Sequence, residues 1–227
     1  MVLPRYLAMT RAEFTRCSSF PQHIAWMACH FSPYGTGLVN LPLHLPEGAM
    51  VILNDRIPMA GHDPHTVLDQ LQRLNMTCLL LDFQQIPTAE SFDLARLLTE
   101  SMHCPVGMPP DYGQALPCSL FLSPVPPDLP LEEYLTPWEG RELWLEIATD
   151  AIHYTVTESG SAAASLSHMP EVGAVDEDLC CHYRVQVTPD QAEFDIWRTR
   201  EDMDILLKKA KSHGVTKAVG LWQELGK

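Results

Sequence analysis

Residues 63–84 read DPHTVLDQLQRLNMTCLLLDFQ, and the change of hydrophobic period inside this stretch decides the fold class. Asp63 suits an N-cap, because its side chain can accept from the free amides of a first helical turn. Pro64 suits the position after it, where no amide is needed. Val67, Leu68, Leu71 and Leu74 recur at helical spacing and make one apolar face, and Asn75 can close the end. Cys78-Leu79-Leu80-Leu81 then runs apolar without alternation, ending in Asp82-Phe83. A strand of that kind must be covered on both faces, as in a parallel sheet. A helix feeding a doubly buried strand is an α/β unit.

The same alternation extends both ways. Residues 24–29 and 50–53 read as earlier buried strands. Thr88 opens a second helix with Phe92, Leu94, Ala95, Leu97 and Leu98 apolar. Short strands are expected at 106–108 and 119–122, separated by prolines, and 123–137 is a proline-rich extended loop. Residues 142–157 read as one longer β stretch, and 159–178 as a weakly ordered small-residue segment. The runs 180–187 and 192–197 form a hairpin around Thr188-Pro189-Asp190. Thr199 and Asp202 have the spacing of a capping box for a helix to His213, Gly214 ends it, and 215–222 is the last strand. Residues 1–20 read as a helical or irregular lead-in to a single domain spanning 1–227. About eight strand candidates in a chain of this length point to a small (β/α)8 barrel of the TIM type, which need not be complete. An open doubly wound sheet is the alternative, but no glycine-rich phosphate loop follows any strand.

Composition narrows the partners. The 227-residue chain carries a formal net charge of -14, which repels phosphate backbones and anionic lipid and argues against nucleic acid and membrane. No run approaches the ~20 apolar residues of a membrane span, and the N-terminus lacks the apolar core of a signal peptide. The seven cysteines then read as reduced thiols, and a cytoplasmic location is expected.

Candidate chemistry gathers at the carboxyl ends of strands, the functional face of a barrel. Asp82 ends the apolar run from Cys78, Asn54-Asp55 end the strand before it, and Asp150 follows the strand around Leu145. For each, the competing reading is a cap or a partner for loop amides. His62 and His65 open a helix in a polar loop and read as solvated rather than ligating. Cys180 and Cys181 would point to opposite faces of one strand and cannot readily chelate one ion. Neither a metal nor an organic cofactor is expected, and no G-x-S-x-G elbow is present.

Two segments resemble family 18 glycoside hydrolases, closest to the short bacterial forms that act on spore or cell-wall peptidoglycan. The first is Leu68 to Leu74 followed by Thr77-Cys78-Leu79-Leu80-Leu81-Asp82-Phe83-Gln84, set against the family strand D-G-x-D-x-D-[FW]-E. The second is Asp195-Ile196-Trp197, a capped helix, Gly214, and Gly220-Leu221-Trp222-Gln223-Glu224-Leu225-Gly226. The resemblance implies a barrel whose mouth takes an amino-sugar or peptidoglycan-type ligand. It places Asp82 on the aspartate that orients the substrate's acetamido group and Trp222 under a sugar. Gln84 falls on the catalytic glutamate, while Leu80 and Thr77 replace two further aspartates. A glutamine has no proton to deliver, so the family's substrate-assisted cleavage loses its acid. The expectation is a barrel without that catalysis, keeping a carbohydrate or protein partner at a mouth lined by Asp82, Gln84, Trp222, Tyr154, Asn54 and Asp55. Two alternatives stay open: a hydrolase of another class with Asp82 or Asp55 as acid or base, and a structural or interaction protein with no small ligand.

Overall fold

The computed structural model describes residues 3–17, 19–149, 151–166 and 168–226. In chain order the elements are β1 (Arg5–Met9), α1 (Arg11–Arg16), β2 (Ile24–Phe31), β3 (Leu38–Val39), β4 (Met50–Asn54), α2 (Pro64–Gln72), β5 (Cys78–Asp82), α3 (Ala89–Ser101), β6 (Val106–Met108), α4 (Pro110–Gly113), β7 (Ser119–Leu122) and α5 (Leu131–Leu135). A short 3-10 turn (Thr136–Trp138) leads to β8 (Leu143–Ile147). There follow β9 (Ala151–Thr157), β10 (Gly160–Ser165), β11 (Ala174–Asp176), β12 (Cys181–Val187), β13 (Gln191–Trp197), α6 (Arg200–Ser212), β14 (Val215–Leu221) and α7 (Trp222–Leu225).

Eight parallel strands close into a barrel in the order β1, β2, β4, β5, β6, β7, β8, β14, because β1 pairs with both β2 and β14. All eight strands of the expected barrel are therefore present. β3 adds an antiparallel flap to β2. No helix of the described residues is long and apolar enough to cross a membrane.

Alternate residues of the strands point inward and fill the barrel. Tyr6, Ala8, Ala25, Met50, Ile52, Cys78, Leu80, Phe121, Trp144 and Val219 form one buried cluster. Trp144 is fully buried at its centre. Its ring explains Gly107, since a Cβ added there would lie 2.3 Å from Trp144 Cε3. The other face of each strand packs outward on the helices. Val67, Leu68 and Leu71 of α2 and Leu94, Ala95 and Leu98 of α3 join one outer cluster, and Met203, Leu206, Leu207 and Ala210 of α6 join another. Asp63 caps α2 through the amides of His65 and Thr66, and Thr199 and Asp202 close the capping box of α6.

Five expectations are corrected. The proline-rich stretch 123–137, expected as an extended loop, contains α5 and most of the 3-10 turn. The expected lead-in contains the first barrel strand: β1 is short and mixed, and its pattern became a strand signal only with two neighbours to pair with. The single β stretch over 142–157 is two strands in two sheets. Residues 143–147 are covered on both faces, whereas Ile152, Tyr154 and Val156 alternate, and β9 begins a five-stranded antiparallel sheet of order β10-β9-β13-β12-β11. Within the segment expected to be weakly ordered, Gly160–Ser165 is a regular strand imposed by its hairpin partner β9 rather than by its own propensity. His62 is buried, not solvated, with its ring 5.3 Å from that of Phe31 and Nδ1 2.8 Å from the Met59 carbonyl. The 180–197 hairpin is present as β12 and β13, and the inserted sheet is tied to the barrel by Arg198, which donates to carbonyls of Val125, Pro126, Leu179 and Cys180.

Candidate functional site

A cavity of about 690 Å³ opens at the carboxyl ends of the barrel strands. Its apolar floor is Ala8, Ile52, Leu80, Phe121 and Val219, the upper level of the barrel interior. Its polar wall includes Thr10, His30, Asn40, Asn54, Asp55, Arg56, Asp82, Gln84, Gln85 and Glu146. The period of two along a strand produces both levels: Ile52 then Asn54, Leu80 then Asp82, with each apolar residue beneath a polar one.

Asp82 ends β5 at the wall, half-buried. Gln84 Nε2 donates to its carboxylate, 3.2 Å from Oδ1 and 3.4 Å from Oδ2. Burial pushes the Asp82 carboxyl above the usual carboxylate range, the Gln84 amide opposes that shift, and the nearby Asp55 charge adds to it. The two residues that the family pattern aligns with the acetamido-orienting and acid positions are therefore in contact at the mouth.

Asp55 is committed elsewhere. Oδ1 accepts from the Gln84 amide and Oδ2 from the Gln85 amide, both at 2.9 Å, while the Gln85 side chain returns a bond to the Asp55 carbonyl at 2.5 Å. This buried carboxylate clamps the loop after β5 and fixes where Gln84 stands. The competing reading of Asp55, as a partner for loop amides, describes it. Asn54 holds the neighbouring strand end, donating to the Cys29 carbonyl at 3.1 Å and accepting from the Arg56 amide at 3.3 Å.

Two expected residues stand apart from the cavity lining. Inward positions of β14 are Val219 and Leu221, so the next residue turns away. Trp222 opens α7, and its ring packs outside the barrel near Met9, Ile24 and Ala49. Tyr154 lies in the inserted sheet, where its hydroxyl donates to Asp128 Oδ2 at 3.0 Å. Asp150 falls outside the described residues.

The structure adds residues that sequence reasoning missed. His30 Nε2 lies 3.0 Å from Asn40 Nδ2 and its Nδ1 lies 2.8 Å from the Phe31 carbonyl, an arrangement that suits the neutral ring with its proton on Nδ1. Glu146 lines the cavity from β8. A signal for it existed: it is the one charged residue in Leu143-Trp144-Leu145-Glu146-Ile147 and lies two residues after the tryptophan that fills the barrel. Among the described residues no group of three or more His, Cys, Asp or Glu side chains is placed to hold a metal ion.

No protein-family model matches the sequence, and no curated protein matches it. Solved structures do match in shape. The spore cortex-lytic enzyme SleL of Bacillus cereus superposes with a TM-score of 0.55 at 9% identity, over 96% of this chain and 70% of that one. A chitinase of Chromobacterium violaceum gives 0.55 at 10% identity, over 96% and 93%. The spore cortex-lytic enzyme SleL of Bacillus megaterium gives 0.52 at 10%, over 99% and 71%. The chain thus has the closed (β/α)8 barrel fold that these enzymes share, as its resemblance to family 18 glycoside hydrolases implied.

Proposed function

We propose that the protein binds a carbohydrate containing N-acetylglucosamine in the cavity at the carboxyl end of its barrel, and that it does not cleave this ligand by the substrate-assisted route of family 18. The observation that carries the reading is the Asp82–Gln84 contact in the wall of an open cavity. A carboxylate held by an amide, over an apolar floor, offers acceptors and a donor to sugar hydroxyl and acetamido groups. The cavity volume lies within the ~300–1,000 Å³ common for small-molecule sites. Gln84 keeps the shape of the acid it stands for and offers N–H groups, but no titrating proton. The solved structures of similar fold, two spore cortex-lytic enzymes and a chitinase, support a ligand of this class.

Isothermal titration of the wild type with N-acetylglucosamine oligomers and soluble peptidoglycan fragments tests the reading. Wild type binds at least one of them. Asp82→Ala weakens that binding by about tenfold or more, as expected for a lost charge-assisted hydrogen bond worth ~1.5–3 kcal/mol. Trp222→Ala leaves it unchanged, because that ring is outside the cavity. A wild type that binds none of these probes sinks the proposal.

A further inference from the structure

We infer that Thr155, His153 and Asp195 form an acyl-transfer site on the inserted sheet, where Thr155 takes the acyl group of a small ester and water then removes it. The site shares no lining residue with the barrel cavity, and it stands whether or not that cavity holds a carbohydrate.

The side-chain period of a strand brings the three residues together. His153 and Thr155 are two apart on β9 and share a face, and Asp195 on β13 stands directly opposite His153. Arg184 on β12 stands opposite Asp195 on that same face. A cavity of about 220 Å³ lies against the row, lined by His153, Leu166, Arg184, Gln186, Glu193 and Asp195. This is smaller than the ~300–1,000 Å³ of common small-molecule sites, so it suits a short acyl group.

The hydrogen bonds run in one direction. Asp195 Oδ1 lies 2.7 Å from His153 Nδ1, and His153 Nε2 lies 3.2 Å from Thr155 Oγ1. Asp195 is buried, and Arg184 donates to its other oxygen from Nε at 3.0 Å and from Nη2. Burial opposes the charge of Asp195, but the bonds from His153 and Arg184 outweigh it and hold the carboxyl below the usual range. An ionised carboxylate only accepts, so Nδ1 carries the imidazole proton and Nε2 turns its lone pair to the Thr155 hydroxyl. Arg184 alone would meet the charge of Asp195. The added bond to His153 fixes the tautomer that a base facing Thr155 needs. A hydroxyl nucleophile, a base within reach and an acidic residue that orients the base are the parts of covalent acyl transfer.

Thr155 Oγ1 bonds to the ester carbonyl carbon while its proton passes to His153 Nε2. The bond from that carbon to the alcohol oxygen then breaks, and the alcohol leaves with the proton from His153. In the second half a water oxygen bonds to the carbonyl carbon of acyl-Thr155 and gives one proton to His153. The bond from that carbon to Thr155 Oγ1 breaks, and Thr155 recovers its proton from His153. One ester and one water become one carboxylic acid and one alcohol. Asp195 and Arg184 keep their charges throughout and are positioning residues.

The probe is p-nitrophenyl acetate, given to wild type, Thr155→Val, Thr155→Ser, His153→Gln and Asp195→Asn. Release of p-nitrophenol is followed, acid-quenched protein is mapped by peptide mass spectrometry, and thermal melting checks each fold. Wild type is expected to carry the acetyl group on Thr155, and Thr155→Ser to carry it on the serine. Thr155→Val, of nearly the same shape without the hydroxyl, and His153→Gln each lose about 100-fold or more in release rate. Proton NMR gives the role of Asp195 its own readout: a low-field imidazole N–H signal is expected in wild type and in Thr155→Val and is lost in Asp195→Asn together with the acetylation. If Asp195→Asn does not fold, Thr155→Val and His153→Gln decide the matter. Wild type without acetyl on Thr155 overturns the inference, and so does release by Thr155→Val at the wild-type rate.

Discussion

At Asp82 the fold holds a carboxyl group where burial opposes its charge. Its pKa in the folded chain is raised above the ordinary 3.8. Below that value the group is protonated in both states and costs nothing. As pH rises, the unfolded chain releases its proton first, so stability falls through the window above 3.8, and the deficit persists at neutral pH. Asp82→Asn is therefore expected to raise the melting temperature at pH 7, with the gain shrinking toward pH 3, in thermal melts across that range. Asp55 contributes through the two backbone amides it accepts from. Asp55→Ala leaves the Gln84 and Gln85 amides without their acceptor, and urea unfolding should show a loss of roughly 1–3 kcal/mol. The same variant should weaken ligand binding, because the loop that presents Gln84 is no longer clamped.

Among the elements, β6 and β8 show how tightly the barrel interior is filled. Gly107 and Trp144 share one space, and Gly107→Ala drives a methyl group into the indole ring. Overpacking of this kind costs about 1–3 kcal/mol, measurable as a lower urea midpoint. Trp144→Phe in the same chain should recover part of the loss, since the smaller ring vacates the overlap. The helix–strand units are set by different means. α2 and α6 each begin at a side-chain cap and end within a few residues of a buried strand, so their boundaries are local matters of hydrogen bonding and apolar spacing. Asp202 serves two elements at once: it closes the capping box of α6 and lies 2.7 Å from His182 Nδ1 on β12, coupling the inserted sheet to the helix that leads back into the barrel.

For the whole molecule, closure is the dominant constraint. β1 is the only strand joining β14 to β2 among the described residues, and without it two central strands become edges with unpaired backbone groups. Deleting residues 1–10 is expected to abolish the cooperative thermal transition and the near-UV circular dichroism signal, where removal of a dispensable lead-in would leave both intact. The five-stranded sheet enters between β8 and α6, the βα connection that precedes the last barrel strand, at the end where the cavity opens. Loops at that end can change without disturbing the closed sheet beneath them.

The sequence by itself determined the elements that carry their own punctuation. The stretch from Asp63 to Phe83 contains a cap, a helical face and a doubly buried strand, and Thr199 to Leu221 contains the same unit again, which sufficed for an α/β barrel. It also determined that an amide occupies position 84, and this residue does reach the mouth beside Asp82. Only the tertiary structure decided which side each residue of a strand faces. A strand flips its side chains at every step, so one residue separates Leu221 in the cavity from Trp222 outside it, and Glu146 became visible only once Trp144 was fixed inside the barrel. Closure likewise made a strand of Arg5–Met9, because its hydrogen bonds lie with partners far away in the chain, and no local pattern can display a long-range pairing.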